Sequence, residues 1–473
     1  MAVVLDEDIY ADVRYIPLNL AEGYGLLRVM ALAERPNPRD IVLYEALPND
    51  LSRVGGIITT VPQTPLSHVN LRAVQDNVPN AYIAGALDNP LVARLVGRYV
   101  YYRVDARAYE IREASLAEVE AFHAGRRPAR IQVPVRDLTT TAITPLDDIG
   151  FEDWTSFGVK AANLATLRTF GFPEGTVRDG FAVPFTFYDE FMKHNGLYDA
   201  VRSLAADPAF RADYDVQEAR LADLRQRIRD ADMPRWMLAA LTEVQSAFPP
   251  GTAIRCRSST NNEDLPGFSG AGLYESYTQH PDEGHIAKSI KQVYASLWTF
   301  RAFDERQFHR IDHLATAMGI LVHENYEEER ANGVGVTFDP LYGSESTYYL
   351  NTQVGADLVT NPDALSIPEE VLLGAAPGSG HTLVRPSNQV APGARLLSAT
   401  HLEQMRTHLG VIDERFRALY GAEPDEPFAM EIEYKVAHDG VLAIKQARPW
   451  VFDGPPASEP APVFLPIALR SGR

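Results

Sequence analysis

The sequence predicts a multidomain protein of combined α/β and α+β class, in which a small strand-rich β/α domain precedes a large mixed one. Three observations carry this. The chain has 473 residues, too many for one core at roughly 100–200 residues per domain. Short apolar runs separated by turns fill residues 1–115, whereas helical and strand patterns alternate over 150–453. Between them, "GRRPARIQVPVRDLTTTAITPLDDI" carries Pro, Thr and charge without a sustained helical period, which marks 116–149 as a linker.

Hydrophobic content of 45% and charged content of 23% are those of a soluble globular chain. The formal net charge of -19 argues against a broad nucleic-acid or anionic-membrane surface, so any phosphate chemistry is confined to a focused site. The only cysteine, Cys256, excludes an intramolecular disulfide framework and fits a reducing cytoplasm. The start "MAVVLDEDIY" lacks a basic n-region and a long apolar core, and no apolar run is long enough to span a bilayer. The expectation is a cytoplasmic protein with no nucleic-acid or membrane partner.

In the first domain "YGLLRVMAL", "DIVLYEAL", "VGGIITTV", "AYIAGAL", "GRYVYYRVD" and "AYEIRE" read as strands. After "GGIITTV", Thr64 as N-cap and Pro65 at the first helical position predict a helix that fades near Asn77 to Pro79. His68 then lies in its first turns, with Arg72 four residues on and on the same face. A phosphoryl group on the imidazole would find charge compensation from Arg72 and from the helix N-terminus. An isolated histidine in this position more often just packs or hydrogen-bonds.

The second domain offers three further segments. In "FGVKAANLATLRTF" Lys160 follows a glycine and precedes an amphipathic helix; by spacing alone it is a solvated charge. In "AIRCRSSTNNEDLPGFSGAGLYESY" a strand bearing Arg255 and Arg257 runs into a Gly-rich loop, where backbone N–H groups can approach phosphate oxygens. In "FAMEIEYKVAHDGVLAIKQARPW" a hairpin places Glu431 and Glu433 on one face, with Gln446 and Arg448 at the same spacing opposite. Two carboxylates and an amide oxygen suit Mg²⁺, which bridges nucleotide phosphates. A polar sheet face with Glu to Arg pairing explains the hairpin equally well. Elsewhere Ile286, Ile290, Val293 and Leu297 recur at helical spacing, "VGVTFDP" and "TYYLNTQV" read as strands, and 454–473 form a Pro-rich extended tail.

"TPLSHVNLRA" resembles the phosphohistidine motif of the swivelling domain in phosphoenolpyruvate-utilising enzymes, and "LSHV" followed by an arginine is especially similar to glucan water dikinases. "GVKAANLATL", "RSSTNNEDLPGFSGAG", "EIEY" and "QARP" resemble the ATP-binding domain of pyruvate phosphate dikinase and phosphoenolpyruvate synthase, a member of the ATP-grasp superfamily. The resemblance implies a small swivelling phosphohistidine domain plus a large ATP-grasp nucleotide-binding domain.

Carried over by motif, it makes His68 the phosphorylated residue and gives ATP phosphates to Lys160 and Arg257. Gly272 and Ser276 would lie in the phosphate-covering loop. Glu433 and Gln446 would bind Mg²⁺, with Mn²⁺ the second candidate, beside Glu431 in place of the usual aspartate. Arg448 would meet the transferred phosphoryl group. "GILVHENY" corresponds to the strand ending in the adenine hinge, with His323 where the family usually has glutamine and Asn325 giving its backbone to the base. "SLWTFRAF" matches a helix motif in which Trp298 and Arg301 serve packing, and "NTQVGADLVTNP", with Asp357, replaces a family loop. Val69, Asn70 and Leu71 stand where the family has small residues, at the surface expected to face the acceptor.

The implied activity is an ATP-dependent dikinase relay. ATP phosphorylates His68, AMP forms, the second phosphoryl goes to water or phosphate, and phosphohistidine passes its group to a small-molecule or carbohydrate acceptor. No barrel for pyruvate accompanies the two domains, and the histidine domain comes first, as in glucan water dikinases. The alternatives are a catalytic subunit whose acceptor domain lies on a separate protein, and a non-catalytic nucleotide sensor. The sequence leaves the acceptor and the oligomeric state open.

Overall fold

The computed structural model describes residues 13–450 except 33, 35, 49–50, 52, 64–66, 127–129, 266–267, 271, 328, 357–365 and 424. Thr64, Pro65, Asp357 and the Pro-rich tail lie outside the described residues, and of His68 only the backbone is described. The chain divides into two compact units. The first gathers residues up to 126 with 337–396, and the second gathers 127–336 with 397–450.

The first unit is built on seven strands: β1 (Tyr15–Asn19), β2 (Glu22–Met30), β3 (Asp40–Tyr44), β4 (Gly56–Thr59), β5 (Asn80–Ile83), β6 (Tyr99–Val104) and β7 (Tyr109–Glu113), in the order β1-β5-β4-β3-β2-β6-β7. The four from β2 to β5 are parallel, and the others add antiparallel edges. A parallel sheet is covered on both faces, which is why "DIVLY" and "GIIT" are buried along their whole length. Helix α1 (His68–Gln75) crosses from β4 to β5 and covers one face with Val69 and Ala73, four residues apart, against Val42, Tyr44 and Ile57.

This helix starts later than the sequence predicts. Ser67 is its N-cap, accepting the Asn70 N–H at 3.1 Å, so His68 is the first helical residue. Val69 and Asn70 are 1% and 3% exposed. They are therefore no part of the surface expected to face an acceptor, because Val69 is the residue that packs the helix onto the sheet. After α2 (Pro90–Leu95), residues 116–126, part of the expected linker, form helix α3 (Leu116–Arg126). It docks on β2, with Phe122 against Tyr24 at 4.9 Å and a contact of 2.8 Å between His123 Nε2 and Tyr24 O.

In the second unit β8 (Thr144–Pro145), β9 (Gly180–Val183), β10 (Ile254–Thr260), β13 (Tyr277–Gln279) and β14 (Met318–Glu324) form an antiparallel sheet in the order β13-β10-β14-β9-β8, while β11 (Asp264–Leu265) and β12 (Phe268–Ser269) pair separately. Helices Phe185–His194, Tyr214–Asp230 and Ala287–Ser296 supply its core. The spacing of Ile286, Ile290, Val293 and Leu297 is realised in the last of these, with Ile286 and Leu297 as its two cap residues, and all four are fully buried. Trp298 is buried too and donates its Nε1–H to Tyr188 Oη at 3.1 Å. Strand β15 (Glu329–Val336) belongs to this unit. Strands β16 (Thr347–Val354), β17 (Glu369–Gly374) and β18 (His381–Arg385) form an antiparallel meander in the first. The chain then returns through helix Ala399–Tyr420 to β19 (Met430–Ala437), paired with β15 and with β20 (Leu442–Pro449). Among the described residues no helix is long and apolar enough to cross a membrane.

Helix α4 (Val159–Arg168) approaches β10 because of Gly158. Its φ is +85°, and a Cβ there would lie 2.3 Å from Ser259 O. The Ala161 N–H then donates to Ser259 Oγ at 3.0 Å, which pins the first turn of the helix. Gly158→Ala should lower stability by about 2 kcal/mol or more, since it combines backbone strain with overpacking. Urea denaturation checks this, and an unchanged midpoint would mean that the close approach is dispensable.

Candidate functional site

The register of the β19–β20 hairpin sets Glu431 opposite Arg448 and Glu433 opposite Gln446. Directly opposed residues share a face. Arg257, buried on β10, reaches this face: Nη1 donates to Lys445 O at 2.5 Å and Nη2 to Gln446 Oε1 at 2.6 Å, with Glu433 Oε2 at 3.4 Å. Lys445 Nζ lies 3.0 Å from the same Glu433 oxygen. From the start of α4, Lys160 Nζ reaches Glu263 Oε1 at 2.5 Å and donates to Ser258 Oγ at 3.3 Å. Burial alone would raise the Glu433 carboxyl, but Lys445, Arg257 and Lys160 outweigh it and hold the group well below the usual carboxylate range.

The structure thus brings together Lys160, Arg257, Glu433 and Gln446, and adds Lys445 and Glu263, which the sequence reading passed over. Strict alternation along β20 turns Lys445 away from Gln446. The pairing shifts from Glu433 with Gln446 to Tyr434 with Ile444, which makes Lys445 the extra residue of a bulge. A bulge re-aims a side chain, and nothing in "AIKQARP" announces it. Glu263 sits in plain sight in "NNED", but only the fold shows that it is buried against Lys160.

Glu431 is committed differently. Arg448 donates to its Oε1 from Nε at 2.9 Å and from Nη2 at 2.5 Å. The hairpin therefore combines both readings of its sequence: one cross-strand ion pair, and one pair of oxygens, Glu433 Oε2 and Gln446 Oε1, that converge on a single guanidinium nitrogen. Two such hard oxygens would suit Mg²⁺ or Mn²⁺ and could supply part of its oxygen shell. Among the described residues no group of three or more acidic, histidine or cysteine side chains could hold a metal by itself.

Arg255 and His323 are partners in the β10–β14 ladder, so both share a sheet face with Arg257. His323 is buried, and burial together with the charge of Arg257 pushes its ring down to about 3. It is neutral, with Nδ1–H donating to Glu324 O at 2.7 Å. The backbone of Asn325, expected to face a base, is already engaged: its N–H donates to Ala253 O at 2.8 Å and its carbonyl accepts from Arg178 Nη1 at 3.0 Å. Gly272 is exposed with φ +66°, and Ser276 is half-buried before β13. Among the described residues neither is hydrogen-bonded to the Arg257 cluster. His68 and Arg72 belong to the first unit; Arg72 is buried, its Nε 3.0 Å from Asp76 Oδ2.

Residues 155–462 match the family model described as pyruvate phosphate dikinase, AMP/ATP-binding domain. The chain belongs to this family. It contains an ATP-binding domain of dikinase type, within a multidomain α/β architecture with an ATP-grasp-like fold. Among similar proteins are the phosphoenolpyruvate synthase of Aeropyrum pernix, 28% identical over 42% of this chain and 24% of that protein, and the probable phosphoenolpyruvate synthase of Staphylothermus marinus, 30% identical over 44% and 25%. The phosphoenolpyruvate synthase of Pseudomonas aeruginosa is 25% identical over 65% of this chain and 42% of its own. The chain thus spans less than half the length of these relatives. A solved structure, D-alanyl-alanine synthetase A from Vibrio cholerae O1 biovar eltor, aligns over 49% of each chain at 12% identity with a TM-score of 0.22, a likeness too slight to bear on the fold.

The state of His323 has a measurable consequence. The unfolded chain protonates this histidine below about 6.5 while the folded chain keeps it neutral down to about 3, so stability is lost as the pH falls between those values. His323→Gln should remove that loss, recovering at most ~1.4 kcal/mol per pH unit relative to the unmodified chain. Denaturation curves at pH 7 and pH 5 check this; parallel losses in both proteins would show that the ring is not held neutral.

Proposed function

We propose that the chain is an ATP-dependent dikinase that phosphorylates His68 and passes the group to a small-molecule or carbohydrate acceptor. The observation that carries this reading is the cluster in which Arg257 meets the Glu433 and Gln446 oxygens, Lys445 meets Glu433 and Lys160 meets Glu263, within a domain of the pyruvate phosphate dikinase family. Phosphoryl transfer asks chiefly for positioning and charge neutralisation.

Lys160 and Arg257, paired with Glu263 and Glu433, bind the ATP phosphates when these compete for them. Glu433 and Gln446 hold Mg²⁺ or Mn²⁺, which supplies further neutralisation of the phosphates. Arg448, oriented by the grip of Glu431, meets the phosphoryl group in transfer. Gly272 and Ser276 cover the phosphates, and His323 and Asn325 border the base. The His68 imidazole accepts the β-phosphoryl group, AMP leaves, and the γ-phosphoryl passes to water or phosphate. Arg72 contributes through its pair with Asp76, which steadies the helix that carries His68.

A second reading makes the chain the catalytic part of a system whose acceptor domain lies on another polypeptide. The set of His68, Lys160, Arg257, Glu433, Gln446 and Arg448 speaks against a nucleotide sensor, which would need no phosphorylatable histidine.

Incubation with ATP labelled at the β position should leave acid-labile label on the unmodified chain and none on His68→Ala. No label on either, or equal label on both, removes the relay. Lys160→Ala should weaken ATP binding by about tenfold or more, roughly 1.4 kcal/mol, which calorimetry reads directly; unchanged affinity would take Lys160 out of the site. AMP release on adding sugars, glucans or small metabolites separates a complete enzyme from one that needs a partner.

A further inference from the structure

A chain of buried amides surrounds the start of α1. Gln63 and Asn80 form a reciprocal pair, Gln63 Nε2 donating to Asn80 Oδ1 at 3.2 Å and Asn80 Nδ2 to Gln63 Oε1 at 3.3 Å. Gln63 Nε2 also donates to Thr59 Oγ1 at 2.9 Å, and Asn80 Nδ2 to Asn70 Oδ1 at 3.0 Å. Ser67 closes the chain: its hydroxyl donates to Gln63 Oε1 at 3.1 Å and accepts the Asn70 N–H at 3.1 Å. All five side chains are buried, Asn80 completely.

These contacts tie together the last residue of β4, both flanks of residues 64–66, the first turn of α1 and the first residue of β5. The neighbouring core is Val42, Ile57, Val69 and Ala73. Apolar side chains of similar shape would fill the space at little or no cost, since replacing both partners of a buried hydrogen bond is often neutral. What a saturated polar network adds is a single allowed geometry. Ser67 is central to this, because it caps α1 immediately before His68 and its oxygen makes two of the bonds. Phosphoryl acceptance depends on such placement, and a misplacement of about 1 Å can cost about a hundredfold in rate.

We propose that this amide chain, with Asn80 at its centre, is the positioning device that sets the first turn of α1 and so presents His68 to the phosphoryl group. The inference rests on the relay reading above. Asn80 is a positioning residue, acting through Asn70 and Gln63.

The test uses the full chain and β-labelled ATP, reading the rate of label capture and the KM for ATP separately. Asn80→Ala should slow capture about tenfold or more with KM unchanged, because the phosphates are held by residues of the other unit. Ser67→Ala should also slow capture, and Ser67→Thr, which keeps the hydroxyl, should restore it. Where Asn80→Ala does not fold, the two Ser67 variants decide. If the unmodified chain takes no label, the relay and the positioning role fall together. If it is labelled and both alanine variants load at the same rate, or if Ser67→Thr is as slow as Ser67→Ala, the positioning role alone is overturned.

Discussion

Within the second unit the guanidinium of Arg257 joins the sheet of β10 to the sheet of β19 and β20. It leaves β10 and ends on the β19–β20 hairpin, where a backbone carbonyl, an amide oxygen and a carboxylate receive it. A buried cation is tolerated only when paired and hydrogen-bonded, so the hairpin must sit where these oxygens meet Arg257. Lys160 depends on the same strand, because α4 is held to β10 through Gly158 and Ser259. Breaking the Arg257 contacts would leave Glu433 with less compensation and the hairpin without its anchor.

The same constraint concentrates positive charge in a chain of net charge -19. The cations are gathered on a few strand and helix positions, and each is matched by an internal carboxylate. Glu263 faces Lys160, Glu433 faces Arg257 and Lys445, and Glu431 faces Arg448. On the proposed reading, a ligand richer in negative charge would compete with these carboxylates for the same donors, and the ion-paired sheet face of the hairpin would also be the phosphate site.

Most strands were legible because their signals are local. "DIVLY" and "GIIT" are continuous apolar runs, which a covered parallel sheet requires, and Ile286, Ile290, Val293 and Leu297 mark a buried helical stripe. The start of α1 was misplaced because Thr64 and Ser67 are both competent caps by type. The choice of Ser67 rests on bonds to Gln63 and Asn70, and Gln63 is held in turn by Asn80, seventeen positions away. Lys445 was missed because a bulge overrides the period of two on which strand reading depends.

By itself the sequence determined which residue types were present and at what local spacing: Glu431 and Glu433 on one face, Gln446 and Arg448 opposite, a lysine at a helix start, a histidine after a serine. It could do so because side-chain direction along a strand or helix follows from periodicity. Only the tertiary structure decided the pairings, giving Arg448 to Glu431, Lys160 to Glu263 and Lys445 to Glu433, and turning Val69 and Asn70 inward. Those choices depend on which elements pack against each other and on burial, which sets the cost of leaving a charge or an amide unpaired.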